Sequence, residues 1–101
     1  PTDHADENAF DSLTLIYSLA QNYPIPFNPT TTISFCLPAR SRVRLDVIDI
    51  LGRAVDCLDL GQLSGGEHRV EYNASGLASG VYFYRLETDH GSQTRKMILL
   101  R

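Results

Sequence analysis

No window of this sequence approaches 18 uninterrupted apolar residues, so it offers no helix able to cross a membrane. Cysteine is scarce: Cys36 and Cys57 are too few for a disulfide-scaffolded miniprotein, and their spacing matches no CxxC metal pattern. Positive charge is not in excess either, since nine bases face twelve acids for a formal net charge of -3, which argues against a nucleic-acid footprint. There is no nucleophile-elbow G-x-S-x-G, phosphate loop, HExxH pair or dinucleotide fingerprint, so no constellation supports an enzyme. His4, His68 and His90 fall in a tail, a strand and a turn and do not converge on one metal. Repeats and low-complexity tracts are absent. What remains is a chain of 101 residues, 43% hydrophobic and 21% charged, which is the size and composition of one ordinary globular domain.

The charge is unevenly placed. Asp3, Asp6, Glu7 and Asp11 put four acids and no Lys or Arg in the first eleven residues, leaving eight acids and nine bases for the rest. Residues 1–11 therefore read as an acidic tail or linker before a near-neutral body. Pro1 in place of Met, with no signal-peptide pattern, leads to the expectation of a cut fragment or a processed mature chain. Arginine outnumbers lysine eight to one, which suits ion pairing on sheet surfaces.

Strand signals dominate from Thr31 onward. Ile33, Phe35 and Leu37 alternate with Thr32, Ser34 and Cys36, and Pro38 ends the run. Val43, Leu45 and Val47 alternate with Arg42, Arg44 and Asp46, which are expected to face water. Leu51-Gly52-Arg53 is a short turn into Ala54–Leu58, where Val55 and Leu58, three apart, need a bulge if both are to reach the core. His68, Val70 and Tyr72 share a face of the next strand. After the turn-forming stretch Asn73–Gly80 comes an aromatic run with Val81, Phe83 and Arg85 on one face and Tyr82, Tyr84 and Leu86 on the other. Asp89–Ser92 closes a hairpin into Gln93–Arg101. Five or six short strands at this spacing, with no helical period, predict an all-β antiparallel sandwich over 31–101. Residues 12–30 differ: Ser12–Leu19 is an apolar strand far from any hairpin partner, and Pro24, Pro26 and Pro29 force an extended, non-ladder path after it.

The chemistry-bearing residues favour structural roles. Asp46, Asp49, Asp56 and Asp59 lack the dense spacing of a calcium loop and read as solvated. Asn73-Ala74-Ser75 is formally a glycosylation sequon, with a bare turn Asn the favoured reading. The tyrosines fit a sandwich core and rim better than base stacking. Cys36 and Cys57 leave two readings open: a disulfide, which would stabilise by about 3 kcal/mol on the chain-entropy estimate, or two free half-buried thiols in neighbouring strands. No metal or cofactor is expected.

From Leu19-Ala-Gln-Asn-Tyr-Pro-Ile-Pro-Phe-Asn-Pro to Leu37-Pro38 the chain resembles the opening of the C-terminal sorting domains of type IX secretion cargo. Val43-x-Leu-x-Val-x-Asp49, Leu51-Gly52-Arg53-x-Val55, Gly66-x-His68, Leu77-x-Ser79-Gly80-Val-Tyr82-Phe-Tyr84 and Thr94-x-Lys96-Met97 follow at that family's spacing, so the resemblance covers about residues 19–101. Ile25, Ile48 and Tyr72 depart from it, standing where the family usually has Asn, Tyr and Trp. The resemblance implies an Ig-like antiparallel β-sandwich of about seven short strands, related to the flagellar hook-capping Ig-like domain. It implies no catalysis by the chain itself. It further implies export through the periplasm, recognition by an outer-membrane translocon, and cleavage upstream by a sortase-like protease that attaches the cargo to the cell surface. The motif residues it points to are Asn22, Tyr23, Pro24, Pro26, Phe27, Asn28, Pro29, Leu51, Gly52, Arg53, Ser79, Gly80, Tyr82 and Lys96, with Lys96, Arg101 and the last strand in the translocation signal. Ser79-Gly80 is expected to permit close sheet approach.

A second reading concerns residues 12–19. An apolar strand joined through a Pro-rich hinge to a sandwich with open edges is the form used in strand donation between identical subunits. Leu13, Leu15, Tyr17 and Leu19 would then be the donor face of an extracellular filament or surface layer, eight extended residues reaching roughly 26 Å. The alternative is that the same residues form the first strand of their own sandwich.

Overall fold

The computed structural model describes residues 18–101. Its strands are β1 (Ser18–Leu19), β2 (Thr30–Leu37), β3 (Ser41–Asp49), β4 (Ala54–Leu63), β5 (Gly66–Asn73), β6 (Gly80–Thr88) and β7 (Gly91–Leu99), with no helix among them. They form two antiparallel sheets. Sheet A has the order β1-β2-β5 and sheet B the order β4-β3-β6-β7. In immunoglobulin terms these are A-B-E and C′-C-F-G, so the fourth strand pairs with the third instead of completing the first sheet as in the constant-type layout. The expected Ig-like all-β sandwich of seven strands is the observed fold.

Strand alternation builds the core. Ile33, Phe35 and Leu37 of β2, Val43, Leu45 and Val47 of β3, Tyr84 and Leu86 of β6, and Met97 and Leu99 of β7 are all essentially inaccessible to solvent. These inner faces close on each other with Leu58, Leu60, Leu63 and Val70 packed partly buried around them. β4 runs five residues further than its apolar pattern indicates because two bulges keep it in register with β3. Leu60 and Val55 are the extra residues, lying at the register shifts beside Val43/Arg44 and Val47/Ile48. The bulge at Val55 turns that side chain outward, so Leu58 reaches the core edge and Val55 does not.

The segment between β1 and β2 closes one side of the sandwich. Its first part runs along β2, with Ser18 opposite Cys36, Leu19 opposite Phe35 and Tyr23 opposite Thr32. It then crosses to sheet B, where the Phe27 N–H donates to the Ile98 carbonyl and the Leu100 N–H to the Phe27 carbonyl. Phe27 is buried between the sheets at the crossing. Pro24, Pro26 and Pro29 have no N–H to donate, so pairing is limited to the isolated bridges at Tyr23 and Phe27. Leu19, the one donor-face residue among those described, is buried in its own sandwich. Its N–H donates to Gln93 Oε1 and its carbonyl accepts from Arg95 Nε, both on β7. Leu13, Leu15 and Tyr17 lie outside the described residues.

A buried polar network fixes this crossing. Asn22 is 1% exposed. Its backbone N–H donates to the Tyr84 hydroxyl at 2.8 Å, and that hydroxyl donates to the Ala20 carbonyl at 2.7 Å. Asn22 Nδ2 donates to Thr31 Oγ1 at 2.8 Å and to the Pro24 carbonyl at 3.2 Å, while its Oδ1 accepts from Gln21 Nε2. Burial pushes the Tyr84 hydroxyl above its ordinary pKa, so it stays protonated and able to donate. Tyr84→Phe strands the Asn22 N–H and the Ala20 carbonyl without altering side-chain shape. The expected loss is about 1–3 kcal/mol for a buried unpaired group, seen in urea unfolding as a lower midpoint with an unchanged slope.

Candidate functional site

Most of the motif residues gather at one pole, with Asn22 and Lys96 nearer the middle of the sandwich. Gly80 pairs with Leu99 across β6 and β7, and Asp49 at the end of β3 faces Tyr82. The Leu51-Gly52-Arg53 turn, the Leu77–Gly80 loop, the Phe27–Pro29 segment and the last residues of β7 therefore meet at one end. Ser18, where the described chain begins, lies beside the start of β7 at the other. The nine residues of β6 separate the poles by roughly 27 Å.

The turn at Leu51-Gly52-Arg53 is organised by Asp49. Its Oδ1 accepts the backbone N–H groups of Leu51 and Arg53, each at 2.9 Å, and its Oδ2 pairs with Arg53 Nε at 2.9 Å. The Arg53 backbone N–H, with its guanidinium, holds the Asp49 carboxyl below its ordinary value. Gly52 sits at φ 85°, a left-handed conformation that glycine adopts without strain. The consequence is a rigid tip that presents Ile50 and Leu51, 69% and 72% exposed, to solvent.

The Ser79-Gly80 loop is held from two sides. The Tyr82 hydroxyl donates back to the Ala78 carbonyl at 2.7 Å, the pattern of a tyrosine corner. The Arg101 guanidinium donates to the Ser75 and Leu77 carbonyls at 2.7 and 2.8 Å, and the Arg101 N–H donates to Ser79 Oγ. A Cβ on Gly80 would meet nothing within 4 Å. Close sheet approach is therefore not what the position requires. The requirement is its φ of 155°, which lies outside the ordinary range of side-chain-bearing residues.

Of the two readings left open for the cysteines, free thiols are what is observed, though not in neighbouring strands, and the expectation of a solvated Asp46 is corrected. Cys36 and Cys57 are both free, and they lie in different sheets, Cys36 on β2 of sheet A and Cys57 on β4 of sheet B. Each alternates with inward residues and points away from the core between them, so no disulfide joins them and the strands are not neighbours. Asp46 is not solvated but 4% exposed. It lies directly opposite Cys57 on β4 and Arg85 on β6, and it pairs with Arg85 at 3.1 Å and Arg44 at 3.3 Å. The signal available in the sequence was the flanking Arg44 and the facing Arg85, but only cross-strand register shows that they converge. Among the described residues no cluster of His, Cys, Asp and Glu could hold a metal.

Burial alone would raise the Asp46 carboxyl pKa; hydrogen bonds from Cys57, Arg85 and Arg44 outweigh it and leave the group below its ordinary value. The same hydrogen bond pushes the Cys57 thiol up, so it stays a protonated donor although it lies on the surface. A carboxyl lowered by folding stabilises above its unfolded pKa of about 3.9 and loses that contribution as pH falls through the folded value. Asp46→Asn is thus expected to cost about 1–3 kcal/mol at neutral pH, with the gap to the unmodified chain closing under acid in unfolding curves taken at stepped pH. The same substitution should speed alkylation of Cys57.

Residues 21–100 match the family model described as the secretion system C-terminal sorting domain. Among curated proteins, none matches the chain. Among solved structures, the chain resembles part of PorZ, described as an essential bacterial surface component of the type-IX secretion system of human oral-microbiomic Porphyromonas gingivalis. The two share 25% identity at a TM-score of 0.57 over 89% of this chain, which spans only 12% of the length of PorZ. The pole that gathers Phe27–Pro29, Leu51–Arg53 and Ser79–Gly80, with Asn22 and Lys96 nearer mid-sandwich, lies within the matched region, and the chain belongs to the family of secretion system C-terminal sorting domains.

Proposed function

We propose that this chain is the address of a larger exported protein, a folded module that a type IX translocon recognises and that itself catalyses nothing. The observation that carries the reading is the family match over residues 21–100, on a fold in which both ends of that stretch are tied together. Gln21 Nε2 donates to the Lys96 carbonyl at 2.7 Å, and Phe27 bridges to Leu99. The N-terminal and C-terminal motifs thus form one recognition body. Ser18 leaves from the pole opposite the motif loops, so a cargo joined there would not cover them.

On this reading the route is through the periplasm to the outer membrane, and the partners are the translocon and a sortase-like protease that cuts upstream and attaches the cargo to the cell surface. The acidic stretch at residues 1–11 is where such a cut would fall. Lys96 and Arg101 have distinct parts in it: Arg101 fastens the 75–79 loop, whereas the Lys96 side chain is left for a partner. Assembly into filaments by donation of residues 12–19 is the weaker reading, because Leu19 is already buried against its own β2.

The test is a reporter carrying the full chain at its C-terminus in a host with a type IX system. Reporter on the cell surface or in the medium is the expected outcome, and its retention in the periplasm would contradict the proposal.

A further inference from the structure

The outer faces of the two sheets differ in kind. On sheet A, Thr30, Thr32, Ser34 and Cys36 of β2 face Asn73, Glu71, Arg69 and Glu67 of β5, a mainly polar surface with the exposed Tyr23 ring beside Thr32. On sheet B the register divides the face into two zones. Nearer the cargo-side pole, Asp59, Arg44 and Glu87 form one row and Cys57, Asp46 and Arg85 the next. These charges neutralise one another: Arg44 pairs with Asp46 and Glu87, Arg85 with Asp46, and Arg42 with Asp59, while the buried Arg85 Nε lies 3.6 Å from Glu87 without a hydrogen bond.

Nearer the motif pole the same face turns apolar. Ala54, Ile48, Phe83 and Lys96 stand side by side across β4, β3, β6 and β7, and Val81 pairs with Ile98 in the row beyond. The Ile50–Leu51 tip projects past that row. Val81 is 36% exposed and Leu51 72%, with Ile48, Phe83 and Ile98 half-buried. Into this zone projects the chain's single lysine, which has no acidic partner among the described residues. A contiguous apolar zone beside an internally neutralised one marks a surface that another molecule covers. Its one unpaired cation specifies the sign of the partner, because burying an ammonium in an interface requires an opposing carboxylate.

We infer that the motif-pole end of the outer face of sheet B, built from Ile48, Phe83, Val81, Ile98, Leu51 and Lys96, docks an apolar protein surface carrying a carboxylate opposite Lys96. The inference rests on the sorting reading and names the surface by which the secretion apparatus holds this domain. It also assigns the Leu51-Gly52-Arg53 turn a task, which is to hold Leu51 rigidly at the edge of the contact.

The experiment uses the full chain fused to a reporter, with Leu51→Glu, Val81→Glu and Lys96→Glu made singly. Ser34→Glu on the outer face of sheet A serves as the control. Thermal unfolding of each purified fusion checks that the sandwich is intact. The expected result is a loss of export of about tenfold or more for the three sheet B variants, as for truncation of an interface hot spot, with the Ser34 variant exported normally. Lys96→Arg, which keeps the charge, is expected to retain export. Equal export of all variants alongside the unmodified fusion would overturn the inference and leave the sorting reading standing. Failure of the unmodified fusion to leave the cell would overturn both. A dimer of the unmodified chain in sedimentation, dispersed by Leu51→Glu, would overturn it in favour of a second copy as the occupant.

Discussion

The hydroxyl of Tyr84 is the interaction on which the rest of this domain depends. It sits fully buried in the strand that joins β3 to β7, and it reaches across the sandwich to accept from the Asn22 N–H and donate to the Ala20 carbonyl. Without it, the Asn22 N–H and the Ala20 carbonyl at the middle of this proline-interrupted segment lose their partner, leaving its two isolated bridges and the flanking contacts of Leu19, Gln21 and Asn22 Nδ2. With it, Leu19 and Phe27 are delivered into the core, and the gap between β2 and β7 is sealed. Sealing that side matters physically, because an open strand edge on each sheet would present unpaired backbone groups to any neighbouring chain.

The same constraint shapes the candidate site. Fastening Gln21 to the Lys96 carbonyl and Phe27 to Leu99 makes β7 an interior member of a closed side instead of a loose terminal strand. Arg101 then extends the order beyond β7 by gathering the carbonyls of the 74–77 loop. Motifs from residues 22–29 and from 77–101 are therefore one rigid object, so on the proposed reading a partner would meet a surface and not a peptide. The charge network around Asp46 serves the complementary purpose of neutralising the neighbouring zone of the same face. That zone is neutral in itself, whereas Leu51 and Val81 leave apolar surface exposed and Lys96 has no acidic partner among the described residues.

Much of this was legible in the residues. Period-two alternation located six strands within a residue or two at most ends, because each has one face in the core and one outside. β4 was the exception: Gly61 and the bulges at Val55 and Leu60 break the alternation, so its second half carried no pattern to follow. Alternation reports which face a side chain is on and not what covers that face, so it puts Asp46 outside without showing Arg44 and Arg85 closing over it. The pairing of Cys36 with Cys57 could not be judged without knowing which sheet each strand enters. The motif residues around Asn22 are visible through family resemblance, whereas a core-and-rim reading of the tyrosines does not reveal Tyr84 as their anchor. A hydrogen bond spanning 62 residues leaves no trace in local pattern.

The central claim is that the address is the folded sandwich, with its N-terminal lead-in fastened to its last strand. The most direct measurement compares export of a reporter bearing the whole chain with export of one bearing the chain lacking residues 18–29. That deletion keeps Leu51–Arg53, Ser79–Tyr82 and the entire C-terminal stretch in linear form but removes both hydrogen-bond partners of the Tyr84 hydroxyl. The account predicts that export is lost, while export at the level of the intact chain would contradict it and make the signal a linear one.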